Sequence, residues 1–348
     1  MRTLGPPVPV DTHSSHTTNG ATDVTEEDRI PSVSVIIPTY NSDGYITQAI
    51  TSVLSQTYSD YEIIVIDDGS TDDTRTALIS YMDKITYLYQ DNRGVSAARN
   101  LGIRHARAEL IAFLDADDVW LPQKLEEQLR FVTQNSHVAL VFGDAELFDV
   151  AGTVMPAYLR QKAIASCLST DTTILKDAFN LLLEENFIVT STALVRRWCL
   201  QKVGGFDESL RSVEDRDLWL RIARRFPIGC VLPPLTRKRV HDSNISDDTL
   251  LALQSRIKVI ERATMVEDSP RACRPYGLQS RLARLYFLLG YDYFDKEEYK
   301  KARENFLVSL SKELRAKAVI YYLASILGKR AVIVMRYLKQ WVGWVSCG

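Results

Sequence analysis

Short apolar runs alternate with helical patterns in the first part of the chain. The β-branched run "PSVSVIIPTYN" is followed by "DGYITQAITSVLSQT", in which apolar residues recur at helical spacing. Three further strands, at "YEIIVIDDGS", "KITYLYQ" and "ELIAFLDADD", are separated by a helix that runs to about Tyr81 and a helix at "GVSAARNLGIRHA". Because such alternation requires crossover connections, the pattern predicts an α/β domain with a mostly parallel central sheet.

The pattern becomes wholly helical from about residue 247. In this region Leu289, Gly290 and Tyr293 precede Ala302 and Phe306 at a spacing close to the tetratricopeptide pattern of paired helices. A single such unit cannot bury both of its faces. We therefore expect a C-terminal α-helical appendage that docks on the α/β domain or on a partner.

The two ends of the chain differ from the rest. Residues 1–30 are rich in Pro, Thr, Ser and acid and lack the apolar core of a secretory signal, which predicts a disordered leader. Residues 329–345 mix basic side chains with tryptophans, so they form either a final packing helix or a helix lying in a membrane interface. The predicted domains are therefore a leader at 1–30, an α/β domain at 31–246 and a helical appendage at 247–348.

Composition narrows the classes of function. The chain has 348 residues, 46% hydrophobic and 25% charged, with a net charge of −2, so it has no general attraction for nucleic acid. No apolar run of about 18 residues marks a membrane span. The five cysteines show neither CxxC nor zinc spacing, which predicts free thiols in a reducing, cytoplasmic compartment: Cys167, Cys199, Cys230, Cys273 and Cys347.

Aspartates follow two of the predicted strands. Asp67 and Asp68 come after "EIIVI", and Asp115, Asp117 and Asp118 come after "ELIAFL". Carboxyl ends of parallel strands share one edge of the sheet, where ligands collect. An alternative is that these acids cap the helices that follow.

The acidic edge indicates a particular phosphate chemistry. Neither GxGxxG after a strand nor GxxxxGK[ST] occurs, which disfavours dinucleotide redox chemistry and a Walker-type ATPase. Aspartates repel phosphate, but they can bind it through a divalent cation, and hard oxygen ligands favour Mg²⁺ or Mn²⁺. The sequence therefore predicts a metal ion that carries a diphosphate.

Six motifs in a fixed order resemble the family 2 glycosyltransferases, which have a GT-A (nucleotide-diphospho-sugar transferase) fold. They are "VSVIIPTYN", "IIVIDDGSTDDT", "NRGVSAARNLGI", "FLDADD", "VGGFDE" and "EDRDLWLRI", and the resemblance extends from residue 33 to about 245. It implies transfer of a sugar from a nucleotide-diphosphate sugar to an acceptor hydroxyl. The QxxRW motif of the processive members is absent, which implies one sugar per encounter.

The resemblance also implies roles for the donor side. Asp68 is expected at the base or ribose, with Asp67 as the alternative. Either Asp117 or Asp118 would be the main metal ligand, and His241 would complete the metal site or contact diphosphate, unless it is a surface histidine. The residues expected to bind the donor nucleotide are Pro38, Thr39, Tyr40, Asp68, Arg93, Arg99, Asp115 and Asp117. For the two arginines, an ordinary salt bridge is the alternative.

The acceptor side requires a base. Asp215 aligns with the catalytic carboxylate of the family, at the start of an amphipathic helix. Glu214 and Asp207 are expected on the acceptor side, and helix capping is the alternative for Asp215 and Glu214. A single base without a second nucleophile implies inversion at the anomeric carbon.

Two other functions remain open at this point. One is a catalytically silent GT-A module that recruits partners through its helices. The other is a nucleotidyltransferase, which would be expected to carry a glycine-rich, basic loop where this chain has "PTYNSDGYI". The acceptor can be a carbohydrate, a lipid-linked sugar or a protein. For a lipid-linked acceptor, the expected location is peripheral, at the inner face of the membrane.

Overall fold

The computed structural model describes residues 29–168, 172–241, 249–265 and 277–328. Most of the predicted leader and the whole of the predicted interfacial helix at 329–345 lie outside these residues. The predicted domain boundary near residue 246 also lies outside them, in the gap between 241 and 249.

Ten strands form one sheet in the described part of the chain. They are β1 (Val33–Thr39), β2 (Tyr61–Asp67), β3 (Thr86–Tyr89), β4 (Leu110–Phe113), β5 (Val119–Trp120), β6 (Leu140–Asp149), β7 (Gly152–Met155), β8 (Thr172–Ile174), β9 (Leu194–Arg196) and β10 (Ile228–Arg239). The main order is β3-β2-β1-β4-β9-β6-β10-β5, with β7 beside β6 and β8 beside β10.

The N-terminal half of the sheet is parallel. β1 pairs with β2 and β4, and β2 pairs with β3, all in parallel register. Thr39 lies opposite Asp67, so the ends of β1 and β2 meet at one edge. Beyond β4 the sheet is mixed, because β9 joins β4 and β6 by antiparallel pairing. The predicted α/β fold is confirmed, and its parallel part is the part that carries the acidic strand ends.

Helices cover both faces of the sheet. They are α1 (Ile46–Leu54), α2 (Thr74–Leu78), α3 (Val95–His105), α4 (Lys124–Gln134), α5 (Ala178–Glu184), α6 (Arg197–Val203) and α7 (Glu214–Arg225). One apolar core contains Phe113 and Trp219, and the other contains Ile37 and Leu125. α3 approaches the sheet closely at Gly102, where an added Cβ would lie 2.6 Å from Ile36 Cγ2.

Four more helices form the C-terminal appendage: α8 (Thr249–Met265), α9 (Leu278–Asp295), α10 (Tyr299–Lys312) and α11 (Ala316–Leu327). Ile260 of α8 and Leu282 of α9 belong to the same apolar core as Trp219 of α7. The appendage therefore docks on the α/β domain. The predicted helices are present, and the tetratricopeptide assignment stays a prediction. No helix in the described residues has the length and apolar character needed to cross a membrane.

Candidate active site

A cleft of about 970 Å³ opens at the carboxyl edge of the parallel strands. Several elements that are distant in sequence contribute to it, as the strand order requires. Its lining includes Pro38, Thr39 and Tyr40 after β1, Asp68 after β2, Asp115 and Asp117 after β4, Glu214 and Asp215 of α7, Lys238 of β10, and His241. Most of the residues predicted from the sequence therefore share one cavity.

Asp68 lines the cleft and also shapes it. Its Oδ1 accepts hydrogen bonds from the backbone N of Arg93 at 2.9 Å and from Gln90 Nε2 at 2.6 Å. Its Oδ2 accepts one from the backbone N of Gly94 at 2.8 Å. Gly94 has a φ of 90°, which favours glycine, and it leads directly into α3. Asp68 thus holds the turn that precedes α3.

The two arginines predicted at the donor site lie in different environments. The side chain of Arg93 is 61% exposed, pairs with Glu208 at 3.0 Å and does not line the cleft. Arg99 is buried and lies in the cleft wall. It donates to Asp115 Oδ1 and Glu214 Oε1, both at 2.7 Å. Both arginines therefore form salt bridges, which was the alternative for each, but Arg99 does so in the cleft wall, where it joins the end of β4 to the start of α7.

The three aspartates after β4 point in different directions. Asp115 faces Arg99, which lowers the pKa of Asp115 although burial opposes this. Asp118 is only 1% exposed; its Oδ2 accepts from Ser191 Oγ at 2.6 Å and its Oδ1 accepts from the backbone N of Arg239. Burial raises the pKa of Asp118 to about 7. Asp118 is absent from the cleft wall, so the geometry favours Asp117 as the predicted metal ligand.

Asp117 and His241 form the best candidate for a metal site. His241 Nε2 lies 3.0 Å from Asp117 Oδ2, and both residues line the cleft. The imidazole ring stacks on Tyr45, with the ring centroids 5.6 Å apart. No group of three or more His, Cys, Asp or Glu side chains with metal-binding geometry occurs within the described residues. An oxygen and an imidazole nitrogen fit Mn²⁺ or Mg²⁺ when the diphosphate and water supply the other ligands.

Lys238 is a cleft residue that the sequence analysis missed. Burial opposes its charge, but the nearby carboxylates of Asp118, Asp115, Asp117 and Asp215 together raise the pKa of Lys238. It follows the buried Thr236 by two positions in β10, so strand alternation turns both side chains to the same side. The protein itself thus supplies part of the positive charge that the acidic edge requires.

Asp215 is the second residue of α7. Its Oδ2 accepts a hydrogen bond from Asn186 Nδ2 at 2.9 Å, a partner that no sequence pattern had indicated. Burial, followed by the charge of Glu214, raises the pKa of Asp215 to about 6. A carboxylate in this range is ionised at neutral pH and is still basic enough to accept a proton.

Of the two residues expected beside the acceptor, one lines the cleft and the other does not. Glu214 lines the cleft and accepts its bond from Arg99. Asp207 does not line the cleft, because its carboxylate pairs with Arg262 of α8 at 2.6 Å. Although burial opposes it, the hydrogen bond from Arg262 lowers the pKa of Asp207 to about 2. Asp207 therefore fixes α8 to the turn before α7.

Comparison with known proteins agrees with these observations. The family model for glycosyl transferase family 2 matches residues 34–148. A glycosyltransferase of Rickettsia prowazekii, RP339, is 34% identical over 228 residues, which cover 64% of this chain and 69% of the relative. The chain belongs to glycosyltransferase family 2. WfgD of Escherichia coli, named a UDP-Glc:alpha-D-GlcNAc-diphosphoundecaprenol beta-1,3-glucosyltransferase, is 29% identical over 263 residues, or 74% of this chain and 91% of WfgD.

Solved structures of this glycosyltransferase fold are also similar. TarS of S. aureus, in complex with UDP-GlcNAc, gives a TM-score of 0.61 at 18% identity, over 84% of this chain and 90% of TarS. The mannosyltransferase PcManGT of Pyrobaculum calidifontis, in complex with GDP-Man and Mn²⁺, gives 0.52 at 18% identity, over 88% and 83%. The predicted GT-A fold is confirmed, and the protein is a glycosyltransferase.

Proposed function

We propose that this glycosyltransferase moves one sugar from a nucleotide-diphosphate sugar to an acceptor hydroxyl, with inversion and with the help of Mn²⁺ or Mg²⁺. The observation that carries the proposal is the cleft itself. It joins the end of β1, Asp115 and Asp117 after β4, and the half-buried carboxylate of Asp215 in one cavity. Relatives and neighbours named for UDP-Glc, UDP-GlcNAc and GDP-Man support a nucleotide-sugar donor.

The donor would lie along the strand ends. Pro38, Thr39, Tyr40, Asp68 and Asp115 line the part of the cleft that we assign to the nucleoside. Asp117 and His241 would hold the cation. When bound, it would neutralise negative charge on the departing nucleoside diphosphate.

Two basic side chains add to the electrostatics of the donor side. Lys238 lines the same cleft and places a further positive charge among the carboxylates. Arg99 pairs with both Asp115 and Glu214 and offsets one of their two negative charges, so together they repel an anionic donor less strongly.

Asp215 would act as the base. Its carboxylate would accept the proton of the acceptor hydroxyl while the acceptor oxygen bonds to the anomeric carbon and the bond from that carbon to the diphosphate oxygen breaks. Asn186 would hold the carboxylate through its bond to Oδ2. A displacement of this kind inverts the anomeric carbon.

We also propose that the protein is catalytically active and cytoplasmic. The intact Asp215, Asp117 and His241 argue against a catalytically silent module. Cys199 and Cys230 are buried free thiols, which supports a cytoplasmic location.

The acceptor can be a carbohydrate, a lipid-linked sugar or a protein. The name of the E. coli relative supports a lipid-linked acceptor, and with it peripheral contact with the inner face of the membrane. We retain 31–246 as the catalytic domain and 247–348 as the appendage.

A panel of nucleotide sugars tests the proposal. With Mn²⁺ present, the correct donor should raise the melting temperature and be slowly hydrolysed. EDTA should abolish both effects, and added Mn²⁺ or Mg²⁺ should restore them. Full activity in excess chelator would contradict the metal assignment, and no response to any nucleotide sugar would contradict the function.

Two aspartate variants test the choice of metal ligand. Asp117→Ala should lose metal-dependent donor binding while keeping its melting temperature, because its carboxylate contacts His241 at the cleft wall. Asp118→Ala should lower the melting temperature, because its carboxylate joins Ser191 to β10. The reverse pattern would make Asp118 the ligand.

A further inference from the structure

Three arginines from three helices converge at one end of the cleft. Arg216 lies on α7, Arg256 on α8 and Arg281 on α9, and all three line the cavity that contains Asp215. We call them the arginine cluster. Two of its members belong to the appendage, so helices outside the family motifs form part of the cleft wall.

The cluster has few hydrogen-bond partners among the described residues. Arg216 donates from Nε and Nη2 to the carbonyl of Leu182 and from Nη2 to that of Leu183, at 2.7 to 2.9 Å. Nε of Arg281 is buried and has no hydrogen-bond partner among the described residues. Within those residues, the guanidinium groups of Arg256 and Arg281 also make no ion pair. Two of the three arginines therefore have unused donors at the cleft wall.

The positive charges of the three arginines repel one another. Burial, followed by the charges of Arg281 and Arg256, lowers the pKa of Arg216 to about 9. Burial likewise lowers the pKa of Arg281 to about 10, although Glu184 and Glu185 oppose the shift.

Two acids favour the charged form of Arg281, but Glu184 is exposed to solvent, which screens its charge, and Glu185 is engaged elsewhere. The carboxylate of Glu185 is already bonded to Lys162 Nζ at 2.8 Å and to the backbone N of Ala163. Gathering cations in this way is unfavourable unless an anion offsets their repulsion.

We propose that the arginine cluster binds a phosphate or diphosphate group carried by the acceptor. The proposal rests on the function proposed above, because Asp215 marks where the acceptor hydroxyl must lie. Guanidinium groups bind phosphate oxygens with paired, charge-assisted hydrogen bonds, and the unused donors of Arg256 and Arg281 can make them. Asp215 and the cluster line the same cavity, so an acceptor sugar with its hydroxyl at Asp215 can direct its phosphate towards the cluster.

The position of the cluster favours the acceptor over the donor. The diphosphate of the donor is assigned to the side of the cleft formed by Asp117, Lys238 and His241, on β10 and the loops after β4 and β10. The cluster lies on the wall formed by α7, α8 and α9. A second anionic group can therefore bind without displacing the first.

The test measures binding of a short alkyl diphosphate to the full chain by calorimetry, without divalent cations so that the donor side is not loaded. Arg256→Gln and Arg281→Gln should each weaken binding about tenfold, because each removes charge-assisted hydrogen bonds. Arg284→Gln is the matched control, since Arg284 is an exposed arginine on α9 that does not line the cleft. It should change affinity less than about twofold.

Several results would overturn the proposal. They are absence of alkyl diphosphate binding, equal losses in all three variants, and binding only to vesicles of phosphatidylglycerol, which would make the cluster a membrane contact. Melting temperatures of the Arg256 and Arg281 variants should match wild type, because these two side chains make no hydrogen bonds with the described residues.

A second variant separates this proposal from the function on which it rests. Asp117→Ala should keep the affinity for alkyl diphosphate and lose metal-dependent nucleotide-sugar binding. A wild-type protein that binds alkyl diphosphate but no nucleotide sugar would refute the proposed function and leave the anion site standing. The opposite result would refute the anion site alone.

Discussion

The two ends of the cleft gather like charges in different ways. At the acidic end, Asp115 pairs with Arg99, and Lys238 lies among the remaining carboxylates. At the basic end, Arg256 and Arg281 make no ion pair with the described residues. The protein thus supplies part of the counter-charge at the acidic end, whereas at the basic end we propose that a ligand supplies it.

This difference changes the meaning of the acidic motif. From the sequence alone, we expect a metal ion to supply all of the positive charge that the aspartates require. In the structure, Arg99 and Lys238 supply two positive charges, and Asp118 is held by Ser191 and the backbone of β10. Asp117 and His241 are therefore the residues that we propose for the cation. A cluster of like charges therefore indicates a ligand only after its partners in the fold have been counted.

The largest expected effect is at the base. Asp215→Asn should lower kcat by about 10² to 10⁴-fold, because the amide cannot accept the proton. Nucleotide binding should be nearly unchanged. Asp217→Asn, on the same helix, is the matched control: Asp217 is buried and bonded to Arg221, so this variant should lose stability instead. Near-normal turnover in Asp215→Asn would remove the assignment of the base.

The next effect concerns stability at the basic end. Arg216→Gln should lower the free energy of unfolding by about 3 kcal/mol, because it removes the bonds to the carbonyls of Leu182 and Leu183. Arg281→Gln should change it by less than about 0.5 kcal/mol, because Arg281 has no such bonds within the described residues. Urea unfolding of both variants measures the difference. Equal losses would show that Arg281 also has a stabilising partner.

A smaller effect is expected from removing the charge of Lys238, which lies at the acidic end of the cleft. Lys238→Gln should lower kcat/KM about tenfold and move the acid side of the pH profile upward, because removing a positive charge raises the pKa of the neighbouring carboxylates. Arg237→Gln is the control, since Arg237 pairs with Glu146 and does not line the cleft. An unchanged profile in Lys238→Gln would mean that the metal alone balances the acids.

The smallest expected effect is the pH dependence of activity in the wild-type protein. The pKa of Asp215 is raised to about 6, and only its ionised form can accept a proton. The kcat/KM should therefore be constant above about pH 7 and fall as pH decreases through 6, by about tenfold per unit. A flat profile between pH 5 and 8 would show that Asp215 does not titrate in the reaction.

Local patterns were enough to predict much of the molecule. Alternating strand and helix signals predicted the α/β fold, because the parallel pairing of β1, β2 and β4 follows from crossover connections. The amphipathic pattern at "EDRDLWLRI" predicted α7, and the resemblance to the family singled out Asp215 at its start. These features depend on neighbouring residues, so they can be read directly from the chain.

Other features depended on contacts between distant residues. Asp115, Asp117 and Asp118 are nearly adjacent in sequence, and only the positions of Arg99, His241 and Ser191 give them different environments. Likewise, Arg256 and Arg281 reach the cleft because α8 and α9 dock on α7. Burial and charge pairing depend on which helices and strands contact each other, and the local sequence pattern does not show those contacts. The acidic edge of the cleft was therefore predictable from motifs, whereas Arg99, Lys238 and the basic end required the tertiary structure.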